Sequence, residues 1–254
     1  MSIRRTVTAD QAEWSLAPLP AWYEPREVDW RYRAVGEENS VWLLSDVQHH
    51  VASQSCTRRA VRQLLSMSAV QALAQVEIEF DPAADRLLLH ELVVWRQAPD
   101  GAWRKGTPVP AEAFLARQRE QQLEQQILTG QLSLVALLED VRVGDVVDLC
   151  WTIAPRERLP DLAFTTYHAF AWAAPVARAC FALHLDPAQP VRWRLHPGGD
   201  GPLPTEERTE GAVCWMARDL PRFEGESNVP GSHWHWPLLA VSAWLREHGA
   251  NVLA

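Results

Sequence analysis

The sequence predicts an all-β protein, a large antiparallel β-sandwich with a short C-terminal helix. Apolar and polar residues alternate along most of the chain, as they do in strands that bury one face. The alternating stretches are rich in Val, Leu, Ile and Trp, and turns containing Pro, Gly and Asp separate them. Together these features favour strands joined by turns over alternating strands and helices.

Composition sets broad limits on function. The 254 residues are 47% hydrophobic, which is enough for one large β domain or two small ones. Asp and Glu outnumber Lys and Arg by 32 to 24, so the formal net charge is −8, and this sign argues against a nucleic-acid partner. No apolar run approaches the ~20 residues that span a bilayer. Basic residues at the start have no apolar segment behind them, so we expect a cytoplasmic protein.

Two pairs of alternating stretches predict β-hairpins. Residues 76–80 and 86–97 flank a turn whose corner is set by Asp81 and Pro82, since Asp-Pro initiates turns. Residues 132–138 and 146–153 flank a second turn, which contains Gly144 and Asp145. Further strands are predicted at 28–35, 41–52, 164–172, 177–185, 191–195 and 211–217.

Gly144 and Asp145 also raise the question of chemistry. A phosphate loop needs several glycines leading into a helix, and a calcium loop needs many closely spaced oxygen ligands. Here one glycine leads into a strand, and only Asp145 and Asp148 are near. Glycine supplies the positive φ of a turn and aspartate can bond its own backbone, so a structural turn is the better interpretation.

Two segments have helical features. Residues 111–128 are rich in Ala, Leu, Gln and Glu, and propensity alone favours a helix there. Near the C-terminus Pro237 suits a first helical turn and Gly249 a C-cap. Between them five apolar residues fall at helical spacing: Leu238, Leu239, Val241, Trp244 and Leu245. This stripe predicts a docking surface, which either folds back on the sandwich or contacts a partner or a second copy of the chain.

Cysteine and histidine residues are the candidates for catalysis or metal binding. The four cysteines, Cys56, Cys150, Cys180 and Cys214, form no CxxC pair, so buried free thiols are expected. If 41–56 were one strand, His50 and Cys56 would lie about 20 Å apart, too far for a nucleophile and its base. His233 and His235 could share a face and hold a metal with a third ligand. Two histidines are a weak signal, so we expect no metal site and no cofactor.

The order of motifs is similar to that of a known family. The stretches SVWLLSDVQHHV, VEIEFDPAADRLLLHELVVWR, LEDVRVGDVVD and WAAPVARACFALH resemble DUF3857, a bacterial domain found mainly just upstream of a transglutaminase-like core. The resemblance covers residues 18–235, which leaves an N-terminal arm at 1–17 and a helix or linker towards such a core at 236–254. It implies a large β-sandwich, and it favours a strand running into a long loop over a helix at 111–128.

The resemblance also implies a function. The Cys, His and Asp triad of a transglutaminase-like enzyme would lie in the following domain, so this chain is expected not to be an enzyme. We expect an accessory domain that packs on such a core, in the same or another chain, and positions or restricts a protein or peptide substrate. Family members are often periplasmic or membrane-associated. The alternative is a peptide- or glycan-binding module that uses exposed tryptophans, because the chain has thirteen of them.

Overall fold

The computed structural model describes residues 13–118, 130–157, 164–198, 201–224 and 236–243, which are mostly β-strand. The strands in these residues are β1 Trp14–Leu16, β2 Ser40–His50, β3 Ser55–Leu64, β4 Gln75–Phe80, β5 Asp85–Gln97, β6 Trp103–Lys105, β7 Phe114–Gln118, β8 Leu132–Leu137, β9 Val146–Pro155, β10 Thr165–Ala169, β11 Val176–His184, β12 Val191–His196, β13 Thr205–Arg208, β14 Ala212–Leu220 and β15 Leu238–Ala243. A short helix α1 spans Met67–Leu73, and a 3₁₀ turn spans Ala111–Ala113.

Nine strands form the main sheet. Its order is β1-β5-β9-β3-β2-β11-β14-β13, with β6 added on β5. The pairs β1–β5 and β2–β11 are parallel, and the other pairs in this sheet are antiparallel. The strands β2 and β3 are a true hairpin, and they lie near the centre of the sheet.

Two small sheets pack on one face of the main sheet, which we call the back face. The β8 sheet has the order β4-β8-β7, and the β15 sheet has the order β10-β15-β12. One apolar core joins the β8 sheet to β5 and β9 through Ile78, Leu134 and Leu89. A second core joins the β15 sheet to β11 and β14 through Leu239 and Phe181. This layered packing of sheet on sheet confirms the predicted all-β sandwich-like fold.

The opposite, front face of the main sheet is covered by the N-terminal segment at residues 17–35. Trp30 and Tyr32 pack there over a third apolar cluster that includes Val41 and Val61. The predicted strand at 28–35 is wrong, because these residues have no strand assignment. Their alternation instead reflects side chains of an irregular segment that reach the sheet below.

Both predicted hairpins are also wrong. The strands β4 and β5 flank the Asp81 turn, but β4 pairs with β8 and β5 pairs with β9. Likewise β8 and β9 flank the Gly144 turn and belong to different sheets. Each turn therefore carries the chain from one layer of the sandwich to the other. Turn chemistry predicts where a chain changes direction, but the partner of each strand is set by packing between distant segments.

Of the C-terminal helix or linker predicted at 236–254, the described part contains a strand instead, at Leu238–Ala243, while residues 244–254 lie outside the described residues. This strand, β15, lies between β10 and β12 and pairs with both. Apolar residues at 238, 239 and 241 fit either a helix or a strand when the segment is short. Neighbouring strands on both sides supply main-chain partners, and this decides in favour of the strand.

Residues 111–128 agree better with the strand that the family resemblance implies than with the helix that propensity favours. The part that the structure describes has the strand β7 at Phe114–Gln118, while 119–128 lie outside the described residues. The helix α1 was not predicted. Ser66 caps it by accepting a hydrogen bond from the Ala69 amide at 3.2 Å, which is a common start signal for a helix.

Candidate functional site

A groove of about 580 Å³ opens on the back face of the main sheet, beside the β8 sheet. We call it the inter-sheet groove. It is lined by His49 of β2, Cys56 and Arg58 of β3, Trp151 and Ile153 of β9, and Glu77, Ile78 and Glu79 of β4. Its base therefore comes from three adjacent strands of the main sheet, and β4 provides a wall.

The β2–β3 hairpin places a histidine directly opposite a cysteine. The chain reverses between His50 and Ser55, so His49 and Cys56 are cross-strand partners. The assumption of one continuous strand at 41–56, which put His50 and Cys56 about 20 Å apart, is therefore wrong; His50 pairs with Ser55, and the histidine opposite Cys56 is His49. Side chains of directly paired residues lie on the same face of a sheet, and both line the groove. The turn between the two strands, at residues 51–54, was the missed signal.

The protonation of this pair is set by burial. Burial and, to a lesser extent, the nearby Arg58 charge lower the pKa of His49 to about 4. Burial also raises the pKa of Cys56, although Arg58 acts in the opposite direction. At neutral pH the site therefore holds a neutral imidazole and a protonated thiol. An activated nucleophile requires the thiolate instead.

A second histidine lies behind the groove. His168 of β10 packs on Phe181 with ring centroids 5.0 Å apart, and His49 packs on the same ring at 5.3 Å. Burial lowers the pKa of His168 to about 3. Its Nε2 atom is buried and has no hydrogen-bond partner among the described residues. Both rings act here as aromatic packing groups between the main sheet and the β15 sheet.

The wall of the groove is an edge strand. Within the described residues β4 is the outer strand of the β8 sheet, and its residues Glu77, Ile78 and Glu79 line the groove. An edge strand presents main-chain N–H and C=O groups that can pair with an added strand. Strand addition at such an edge is one of the ways in which proteins bind extended peptides.

A buried polar network ties the N-terminal segment to the front face. The Tyr23 hydroxyl and the Gln48 amide both donate to Asp46 Oδ2, at 2.7 and 2.9 Å. Gln48 also bonds the main chain of Glu24, and its Oε1 accepts from His184 Nε2 at 2.9 Å. Burial raises the pKa of Asp46, and hydrogen bonds from Tyr23 and Gln48 oppose this. These bonds give the network a structural role, because they hold residues 23–24 on the sheet.

The residues predicted to form turns lie in turns. Gly144 has a φ of +96°, and Asp145 accepts a hydrogen bond from the Arg142 amide at 2.9 Å. Asp145 also binds Arg96, with the ion pair at 2.7 Å. At the other turn Asp81 accepts from the Ala83 amide at 2.9 Å, with Pro82 between them.

The structure describes three of the five residues of the predicted docking stripe. Leu238, Leu239 and Val241 are buried within the chain at 8%, 0% and 2% exposure. They therefore present no open surface to a partner. Trp244 and Leu245 lie outside the described residues, and so do the metal candidates His233 and His235. No group of three potential metal ligands occurs in the part of the chain that the structure describes.

Eleven of the thirteen tryptophans are described, and each of these eleven is buried or half-buried. Trp30 packs between Trp95 and Trp103, at centroid distances of 4.8 and 5.3 Å. Others contribute to the cores under the two small sheets. None of these eleven is among the exposed large hydrophobic residues on which the predicted glycan- or peptide-binding alternative depends. Among the described residues, no helix is long and apolar enough to span a membrane.

Comparison with known proteins identifies the family. The model of a domain of unknown function with a solved structure, DUF3857, matches residues 50–224. The chain belongs to the DUF3857 family. This domain includes the β2–β3 turn and the inter-sheet groove, apart from His49, which lies one residue before the matched range. Among curated proteins, no relative of the chain is found.

Solved structures show where this DUF3857 fold occurs. Among 37 matching chains is the crystal structure of a putative protease from Parabacteroides distasonis ATCC 8503. The two proteins are 18% identical, and their folds agree with a TM-score of 0.63. The match covers 80% of this chain but 40% of the other. The present chain therefore spans less than half of that protein, and at this identity the likeness shows the fold alone.

Proposed function

We propose that this DUF3857 chain is a non-catalytic accessory β-sandwich that works with a transglutaminase-like core and positions or restricts its protein or peptide substrate. The observation that carries the proposal is the unequal coverage of the structural match. The fold found here takes up 40% of a longer chain described as a putative protease. A fold that is one part of a larger protein is suited to act on a neighbouring domain.

The inter-sheet groove is the part of the molecule best suited to hold a substrate segment. Its volume of about 580 Å³ is comparable to that of many ligand sites. The edge strand β4 offers main-chain groups for strand addition, which would bind an extended peptide with little dependence on its sequence. Trp151 and Ile153 supply apolar contacts, and Arg58 supplies an exposed positive charge.

The state of the thiols supports a role without catalysis. Burial raises the pKa of Cys56 and raises that of Cys150 to about 12. Both thiols are therefore protonated at neutral pH. Cys56 has a histidine opposite it, but the lowered pKa of His49 makes this imidazole a poor base for taking the thiol proton.

The proposal is tested by kinetics with a purified transglutaminase-like core. Hydrolysis of casein and of a short fluorogenic peptide is measured with and without this chain, joined to the core or added separately. The chain is expected to change KM for casein and to leave kcat for the short peptide unchanged. Arg58→Trp narrows the groove and should remove the effect on casein. Arg104→Trp, on an arginine outside the groove, is the matched control and should retain it.

Two results would overturn the proposal. One is turnover by the isolated chain that Cys56→Ser abolishes, since this would make the chain an enzyme. The other is a core whose kinetics with casein are the same with and without the chain.

A further inference from the structure

Two cysteines meet on the front face of the main sheet. Cys180 lies on β11 and Cys214 on the adjacent strand β14, and they are 34 residues apart in the chain. Their sulfur atoms are 2.9 Å apart. In the register of the two strands Cys180 is opposite Met216 and Cys214 is opposite Ala182, so the cysteines are diagonal neighbours. Both are buried, at 0% and 8% exposure.

This contact is close to the geometry of a covalent bond. A disulfide has a sulfur–sulfur distance of roughly 2.05 Å, so the two atoms need to approach by less than an ångström. Rotation of the two side chains, together with a small backbone adjustment between these diagonal positions, closes this gap while the strands stay paired. Of the described cysteines, Cys56 and Cys150 make no comparable sulfur contact.

The surroundings make the two thiols unequal. Cys180 pairs in register with Asp46, and the guanidinium of Arg26 is near both cysteines. The hydrogen bond between the thiols, with Arg26 in support, lowers the pKa of Cys214. The same hydrogen bond, together with burial, raises the pKa of Cys180. Cys214 is also the more exposed of the two, so it is the thiol that an oxidant reaches and reacts with first.

We propose that Cys180 and Cys214 are an oxidation site, and that a peroxide converts them to a disulfide that joins β11 to β14. The Cys214 thiolate attacks one peroxide oxygen, which forms a sulfenic acid, and the other oxygen leaves as hydroxide. The sulfur of Cys180 then attacks the sulfenic sulfur and expels its oxygen. The thiols lose two protons and two electrons, and hydrogen peroxide is reduced to two molecules of water.

The bond would stabilise the main sheet where the N-terminal segment covers it. A disulfide closing a loop of this length restricts the unfolded chain, and the expected rise in Tm is about 5–10 °C for a domain of this size. Because β11 and β14 are already paired, little native structure has to change.

The test uses the full chain, purified with a reductant that is then removed. After treatment with hydrogen peroxide the intact mass should fall by that of two hydrogen atoms. Digestion without reduction should give one peptide pair that contains Cys180 and Cys214. Tm should rise and return to its first value when the reductant is restored. Cys180→Ser and Cys214→Ser should each abolish the loss of two hydrogen atoms and the rise in Tm. Cys150→Ser, at another buried cysteine of the same face, should keep both.

A second measurement covers the case in which burial prevents access of peroxide. The chain is unfolded in urea and refolded in a buffer of reduced and oxidised glutathione, so that the thiols meet the oxidant before they are buried. The same disulfide is expected. The pairing of Cys180 with Cys214 is overturned if neither route forms this disulfide or if the bond joins Cys56 or Cys150. The peroxide step is overturned if peroxide leaves the thiols reduced or gives only sulfinic acid while refolding forms the bond.

Discussion

Asp148 is a buried carboxylate whose charge is balanced by a residue 89 positions away. Its side chain is 2% exposed, and the Arg59 guanidinium donates to both of its oxygens at 3.0 and 2.8 Å. Trp95 Nε1 donates to one of the same oxygens at 3.2 Å. Sequence patterns place Asp148 on a strand, but they do not predict this partner, because the pairing exists only once β3 and β9 are adjacent.

Removing the carboxylate is expected to destabilise the protein strongly. Asp148→Ala leaves the Arg59 charge largely buried and without its partner, so unfolding free energy should fall by about 3–5 kcal/mol. Urea unfolding followed by fluorescence measures the change. Asp100→Ala removes an exposed ion pair with Arg104 and a hydrogen bond from the Ala102 amide, and should cost about 1 kcal/mol or less. Equal losses in the two variants would contradict the structural role given to Asp148.

At the scale of elements, the two Asp-containing turns connect different sheets. The sequence places Gly144 and Asp145 at a turn, and the structure has them there with a positive φ at Gly144. What the pattern cannot show is that the strand after this turn leaves the β8 sheet and enters the main sheet. Local residues set the direction of the backbone, whereas distant strands supply its hydrogen-bond partners.

Replacing the turn glycine tests how much its backbone conformation matters. A Cβ at Gly144 would meet no atom within 4 Å, so the penalty of Gly144→Ala comes from conformation alone. At a φ of +96° this should be about 1–2 kcal/mol. Gly211→Ala is the matched control, because its Cβ also meets nothing and its φ is not in the left-handed region. Thermal unfolding of both variants should show a loss for Gly144→Ala only.

At the scale of the whole molecule, buried histidines make stability depend on pH. Burial lowers the pKa of His49 to about 4 and of His168 to about 3, from 6.5 in an unfolded chain. Below pH 6.5 the unfolded state therefore binds protons that the folded state does not bind. The contribution of the two neutral histidines to stability is therefore fully present above pH 6.5, and it is lost as the pH falls from 6.5 towards their folded pKa values of about 4 and about 3.

Replacing one histidine should reduce this dependence. His49 alone accounts for a loss of about 2 kcal/mol between pH 7 and pH 5, and His49→Phe keeps an aromatic ring that cannot bind a proton. Urea unfolding at the two pH values should therefore show a smaller loss of stability for this variant.

Asp46 changes the pH dependence of stability in the opposite direction, because its raised pKa favours folding at low pH. This effect is the same in every variant, since Asp46 is present in all of them. Val47→Ala, a packing change in the same core, should keep the wild-type difference, and an unchanged difference in His49→Phe would contradict the prediction.

The residues alone were enough to predict the all-β class, the family and the main strands, including those at 177–185 and 211–217. The class and the strands follow from side-chain alternation and turn residues, which are local properties, whereas the family follows from the resemblance of the motifs to DUF3857. Only the tertiary structure shows that His49 lies opposite Cys56 and that Cys180 contacts Cys214. It also shows that 238–243 is a strand between two other strands. Alternation specifies which side chains face a core, but the choice of neighbour depends on contacts whose energy arises only when the segments meet.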